Sequence, residues 1–175
     1  MSLRLKMMGL ATVLGLGRKG FFIPYRYAHA LPPPGARAPY ALLGDMLHGH
    51  EDDFRTLLDG MDGFITDLKN IGRDTPPEPR WDQDWFPRLD AAVAYTLVRA
   101  GRPKHIVEVG SGHSPRFLAR AMRDGGIDGR ITAIDPHPRS SLHGIPDLEL
   151  LRAPVQEIGL RVFDALNPGD MLFID

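Results

Sequence analysis

Apolar residues recur at three- and four-residue steps from residue 53 onward: Phe54, Leu57, Leu58, Met61, Phe64, Ile65, Leu68 and Ile71. The spacing puts them on one face and predicts a helix running to about Asn70, weakened locally by Gly60 and Gly63. Residues 72–87 hold four prolines and two tryptophans and read as an irregular but ordered connection. Leu89, Val93 and Leu97, with Ala91, Ala92, Ala94 and Ala100, predict a second helix closed by Gly101 and Pro103. The period then changes. Residues 104–109, 131–135, 148–151 and 171–175 are short β-rich runs, each preceded or followed by turn residues. Between them lie a helix that Ser114 can cap, with Pro115 in its first turn and Gly125-Gly126 at its end, and a second helix over residues 155–166.

Strands alternating with helices imply right-handed crossovers and parallel pairing. The expected fold is a Rossmann-like, doubly wound α/β sheet, incomplete because only its first half is present, with an N-terminal helical extension. A fourth strand beside the first would leave an apolar edge of Met171, Leu172, Phe173 and Ile174 open to self-association. Three segments follow: a basic, apolar extension over residues 1–40, a helical segment and cap over residues 41–103, and the sheet domain over residues 104–175.

Composition narrows the function classes. The chain has a formal net charge of −1 and no cysteine, so nothing steers it toward nucleic acid, and disulfide and thiolate chemistry are excluded. The charge is unevenly spread: residues 1–40 hold Arg4, Lys6, Arg18, Lys19, Arg26 and Arg37 and no acid, which leaves the remainder at about −7. With Phe21, Phe22, Ile23, Tyr25 and Tyr27, this segment suits contact with an anionic membrane surface or a lid docked on the domain. Its apolar run, residues 7–17, is 11 residues long, against the roughly 20 needed to span a bilayer. Arg18 and Lys19 stand between that run and the small-residue Ala28-His29-Ala30, which argues against a cleaved leader and for a cytoplasmic chain.

The candidate chemistry lies at His105-Ile106-Val107-Glu108-Val109-Gly110-Ser111-Gly112-His113-Ser114-Pro115, a buried strand, a glycine turn and a helix start. Gly110 and Gly112 let the backbone turn sharply and approach a ligand. Asp135, at the end of the next strand and 23 residues beyond Gly112, suits a ribose hydroxyl pair. A dinucleotide pyrophosphate would meet Glu108, a repulsion of about 4 kcal/mol at about 4 Å and an effective dielectric of about 20. The third glycine of the dinucleotide pattern is also missing, its place being taken by Pro115. A cationic nucleoside suits an acidic strand end better.

Val107-Glu108-Val109-Gly110-Ser111-Gly112 followed by Ala133-Ile134-Asp135 resembles the class I S-adenosylmethionine-dependent methyltransferases over residues 104–175. The resemblance implies S-adenosyl-L-methionine as cofactor, with Glu108 near its methionyl amino group, Gly110, Ser111 and Gly112 lining the methionyl part, and Asp135 on the ribose. It implies that Asp175, ending the fourth strand, faces the methyl acceptor, expected to be an oxygen or nitrogen of a small molecule. Ser114 stands where the family often has a glycine, and Ala153-Pro154-Val155 where an adenine-side acid is common. The family continues through three more strands, so the sequence reads as truncated after the fourth. The alternative is a non-catalytic remnant that binds nucleoside weakly or only self-associates. No metal site is expected: His48-Gly49-His50-Glu51-Asp52-Asp53 reads as a solvated helix start. His113 is a candidate base, though loop shaping is the plainer role. Trp81, Trp85 and Phe86 are expected mainly to pack.

Overall fold

The computed structural model describes residues 3–17, 19, 36 and 40–174, in two compact units, residues 1–49 and 50–175. The aromatic residues at 21–27, the proline run at 32–34 and Asp175 lie outside the described residues. In the first unit α1 (Leu3–Val13) and α2 (Ala41–His48) bury none of their residues. The turn after α1 is closed by Gly15 at φ +70, and the Lys19 amide donates to Thr12 Oγ1 at 3.0 Å. Among the described residues no helix is long and apolar enough to cross a membrane.

The second unit begins with α3 (Glu51–Gly60), a 3₁₀ turn (Met61–Phe64) and α4 (Ile65–Asn70). The single helix expected from the apolar face is therefore broken into three pieces. The interruption falls on Gly60 and Gly63, where no side chain restrains the backbone and the helix tightens into a 3₁₀ turn. At the start of α3, Glu51, Asp52 and Asp53 occupy the first turn, where acids favour the helix dipole, and His50 Nδ1 contacts Asp53 Oδ2 at 2.8 Å.

From there the chain runs α5 (Arg88–Gly101), β1 (His105–Val109), α6 (Ser114–Asp124), β2 (Arg130–Ile134), β3 (Leu148–Leu151), α7 (Arg161–Asp164) and β4 (Met171–Ile174). The four strands form an open, all-parallel sheet in the order β3-β2-β1-β4, with Val107 level with both Thr132 and Leu172. This is the expected Rossmann-like arrangement, with the direction of winding reversing between β1 and β4. Three local readings change. The residue that turns left-handed after α5 is Arg102 at φ +50, one beyond Gly101. His113 occupies the cap position of α6, so Ser114 is already helical. Residues 155–166 give only a 3₁₀ turn (Val155–Glu157) and the four-residue α7, because Ile158 is extended at ψ 130 and Gly159 gives no support to a helix.

Ile106 and Ile131 project from one face of the sheet into a core with Ala91, Ala94, Tyr95 and Val98 of α5 and Phe117, Leu118 and Ala121 of α6. The alanines of α5 leave room for the large residues of α6. Trp81 and Phe86 enter the same core from the 72–87 connection, their rings 5.1 and 5.8 Å from Phe117. Trp81 Nε1 also donates to Leu68 O at 3.2 Å. The base of the sheet is pinned by Asp170, whose Oδ1 accepts the amides of Lys104 and His105 at 3.1 and 2.9 Å.

Candidate functional site

The site is built from main chain first. β1 ends at Val109, and Gly110 then takes φ +81, a left-handed conformation that a side chain would strain. Its amide donates to Ile134 O at 2.9 Å, which fixes the turn against the last residue of β2. The next amide, Ser111 N–H, donates to Asp135 Oδ2 at 2.7 Å, and His137 N–H donates to Asp135 Oδ1 at 2.6 Å. Asp135 is held from the other side by its own amide, which donates to Leu151 O at 3.1 Å. The carboxylate thus ties together the ends of β1 and β2. Each of its oxygens takes one main-chain donor and retains capacity for another.

Around this corner lies a cleft of about 290 Å³ lined by Gly110, Ser111, Gly112, His113, Asp135, Arg139, Trp85 and Phe86. Phe86 anchors the aromatic wall in the core, 6.2 Å from Phe173 as well as beside Phe117. Gln83 shapes the approach to it: Oε1 accepts the Trp85 and Phe86 amides at 2.9 and 2.7 Å, and Nε2 donates to Phe86 O. Trp85 is half exposed and carries the Arg139 guanidinium 3.9 Å above its ring. Burial, then the charges of Arg116 and Arg80, hold the His113 imidazole below its ordinary pKa, so it is neutral at pH 7.

Four of the residues named from sequence, Gly110, Ser111, Gly112 and Asp135, meet at this cleft. Glu108 does not line it. It is fully buried on the sheet face that also carries Ile106, level with Ala133 and Phe173. Its carboxyl group therefore lies in the interior, off the lining of the cleft. The start of α6 offers the cleft little: Ser114 is fully enclosed, Pro115 has no N–H, and no residue of α6 lines the cleft. Among the described residues, no group of three or more histidines and carboxylates is placed to hold a metal ion.

Arg139 is the cleft residue that sequence reasoning missed. The nearest signal was its place in Pro136-His137-Pro138-Arg139, directly after Asp135, where a turn returns the chain over the strand end. Trp85 also belongs to the cleft rather than to packing alone. Comparisons with protein-family models, curated proteins and solved structures find no match.

Proposed function

We propose that the second unit binds the nucleoside of S-adenosylmethionine and serves a methyltransferase that acts on an oxygen or nitrogen of a small-molecule acceptor. The observation that carries this reading is the Asp135 carboxylate, locked by Ser111 N–H to the Gly110 turn with acceptor capacity left on both oxygens. A pair of vicinal ribose hydroxyls matches that capacity. Trp85 and Phe86 supply aromatic surface beside it, and the loop of Gly110 and Gly112 allows close main-chain approach. The cleft volume of about 290 Å³ falls just short of the range of small-molecule sites, about 300 Å³ and upward. The cofactor would supply a methyl group on a cationic sulfonium. His113, neutral and at the cleft wall, is the candidate to take the acceptor's proton. Asp175, the other candidate from sequence, follows the last residue of β4.

Titration calorimetry separates this reading from a dinucleotide site. S-adenosylmethionine is expected to bind and NAD not to, and Asp135→Ala is expected to weaken S-adenosylmethionine at least tenfold, from about 1.5–3 kcal/mol per charge-assisted bond lost. Binding of NAD alone, or an unchanged affinity in the variant, overturns it. A second reading rests on β4, where Leu172 and Ile174 are 49% and 71% exposed: a non-catalytic piece that self-associates edge to edge. Light scattering showing a dimer that S-adenosylmethionine neither stabilises nor dissociates would favour that alternative.

A further inference from the structure

A second cavity, of about 200 Å³, shares no residue with the cleft. It runs along α6 from Arg116 to Arg123 and reaches Gly129 and Asp147, which precede β2 and β3. Its walls are mostly apolar, with Pro77, Met122, Ile127, Ile131 and Ile145.

The charges on the wall are not equivalent. Arg120 is paired with Asp124 at 2.8 Å and faces Glu78 at 3.3 Å, while Arg123 grips Glu78 at 2.5 and 2.6 Å. Asp147 is exposed to solvent. Arg116 differs from all of them. It is only 7% exposed and makes no ion pair among the described residues; Nη2 donates to Ser141 O at 2.7 Å, and Nε is buried without a partner. Burying a guanidinium against one neutral carbonyl is unfavourable, and a carboxylate in the cavity would supply the counter-charge that it lacks. Burial and the neighbouring Arg80 also push the Arg116 pKa down, consistent with an uncompensated cation.

We infer that this cavity binds a short aliphatic carboxylate, its head group on Arg116 and its chain along Met122, Ile127, Ile131 and Ile145. A bare inorganic anion would leave that apolar wall wet. At about 30 Å³ for each water-sized group, the cavity takes roughly seven such groups, about the size of a six-carbon acid.

The test is a thermal-shift series on the full chain with hexanoate, 1-hexanol and inorganic phosphate at equal concentration. Hexanoate at about ten times its Kd is expected to raise Tm by about 3 °C, with little change from the other two. Arg116→Gln is expected to abolish the shift, as is Ala119→Leu, which keeps the arginine and fills the cavity. If Arg116→Gln fails to fold, Ala119→Leu and the hexanol comparison decide. Isoleucine-methyl NMR should show hexanoate moving Ile127, Ile131 and Ile145. Equal stabilisation by hexanol or phosphate, a hexanoate shift surviving in either variant, or no shift at tens of millimolar overturns the inference.

Discussion

Replacing Asp135 by asparagine looks conservative but reverses half of what the carboxylate does. In the native chain both oxygens accept, one from Ser111 N–H at 2.7 Å and one from His137 N–H at 2.6 Å. An amide keeps one acceptor and turns an N–H₂ toward the other donor. A hydrogen bond to a charged group contributes about 1.5–3 kcal/mol. The oxygen that remains can serve only one donor: Ser111, 6% exposed, should keep it with its bond weakened by about 1 kcal/mol for the lost charge, whereas His137 is open to water and its lost bond costs at most about 1. Asp135→Asn is therefore expected to cost about 1–2 kcal/mol even without ligand. With a urea dependence of about 2 kcal/mol per molar, the midpoint should fall by about 0.5–1 M. Hydrogen exchange should quicken at Ser111 and His137 while the amides of β1 stay protected. A midpoint change below about 0.2 M, or unaltered exchange at Ser111, would refute the claim that this carboxylate holds the two strand ends together.

Three other predictions concern the scaffold. Tyr95→Phe removes a hydroxyl that donates to Asp124 at 2.7 Å and accepts from Arg99 at 2.6 Å, and should cost about 1.5–2 kcal/mol in urea denaturation, because Arg120 and Asp67 still hold those partners; a loss under about 0.5 would mean the hydroxyl is idle. Gly129→Ala would place a Cβ 2.5 Å from Lys104 O and 2.9 Å from Lys104 C, both main-chain atoms, so at least about 2 kcal/mol should be lost, and a neutral outcome would disprove the close approach. Burial, then Arg130, lowers the His105 pKa, so the unfolded chain binds the proton first; that contribution to stability is whole above about pH 6.5 and declines as pH falls below it. His105→Gln should flatten the decline between about pH 6.5 and 5, measured against His113→Gln because that imidazole is shifted in the same direction.

The strands were legible because each is a short β-rich run with a turn signal beside it, and β1 to β4 all fall within one residue of where those signals place them. The glycine corner was legible for the same reason: Gly110 and Asp135 directly follow consecutive parallel strands, and parallel neighbours bring their ends together. The orientation of Glu108 was not. In a strand whose residues 105–108 are all buried, alternation gives no sign of which face is which. Residues 155–166 do not form one helix because Gly159 lends it no support and Ile158 before it is extended, a conformation that the sequence does not display. Arg139 escaped because its partner, Trp85, is brought near only by the packing of Phe86 on Phe117 and Phe173.

That packing makes the interior audible at the mouth of the cleft. Phe117 touches Trp81 and Phe86, and Gln83 between them sets the amides of Trp85 and Phe86, so the aromatic wall inherits its position from a ring fully enclosed in α6. Trimming Phe117 to leucine would slacken the wall from behind, and a change in ligand grip would then arise from a residue the ligand never meets.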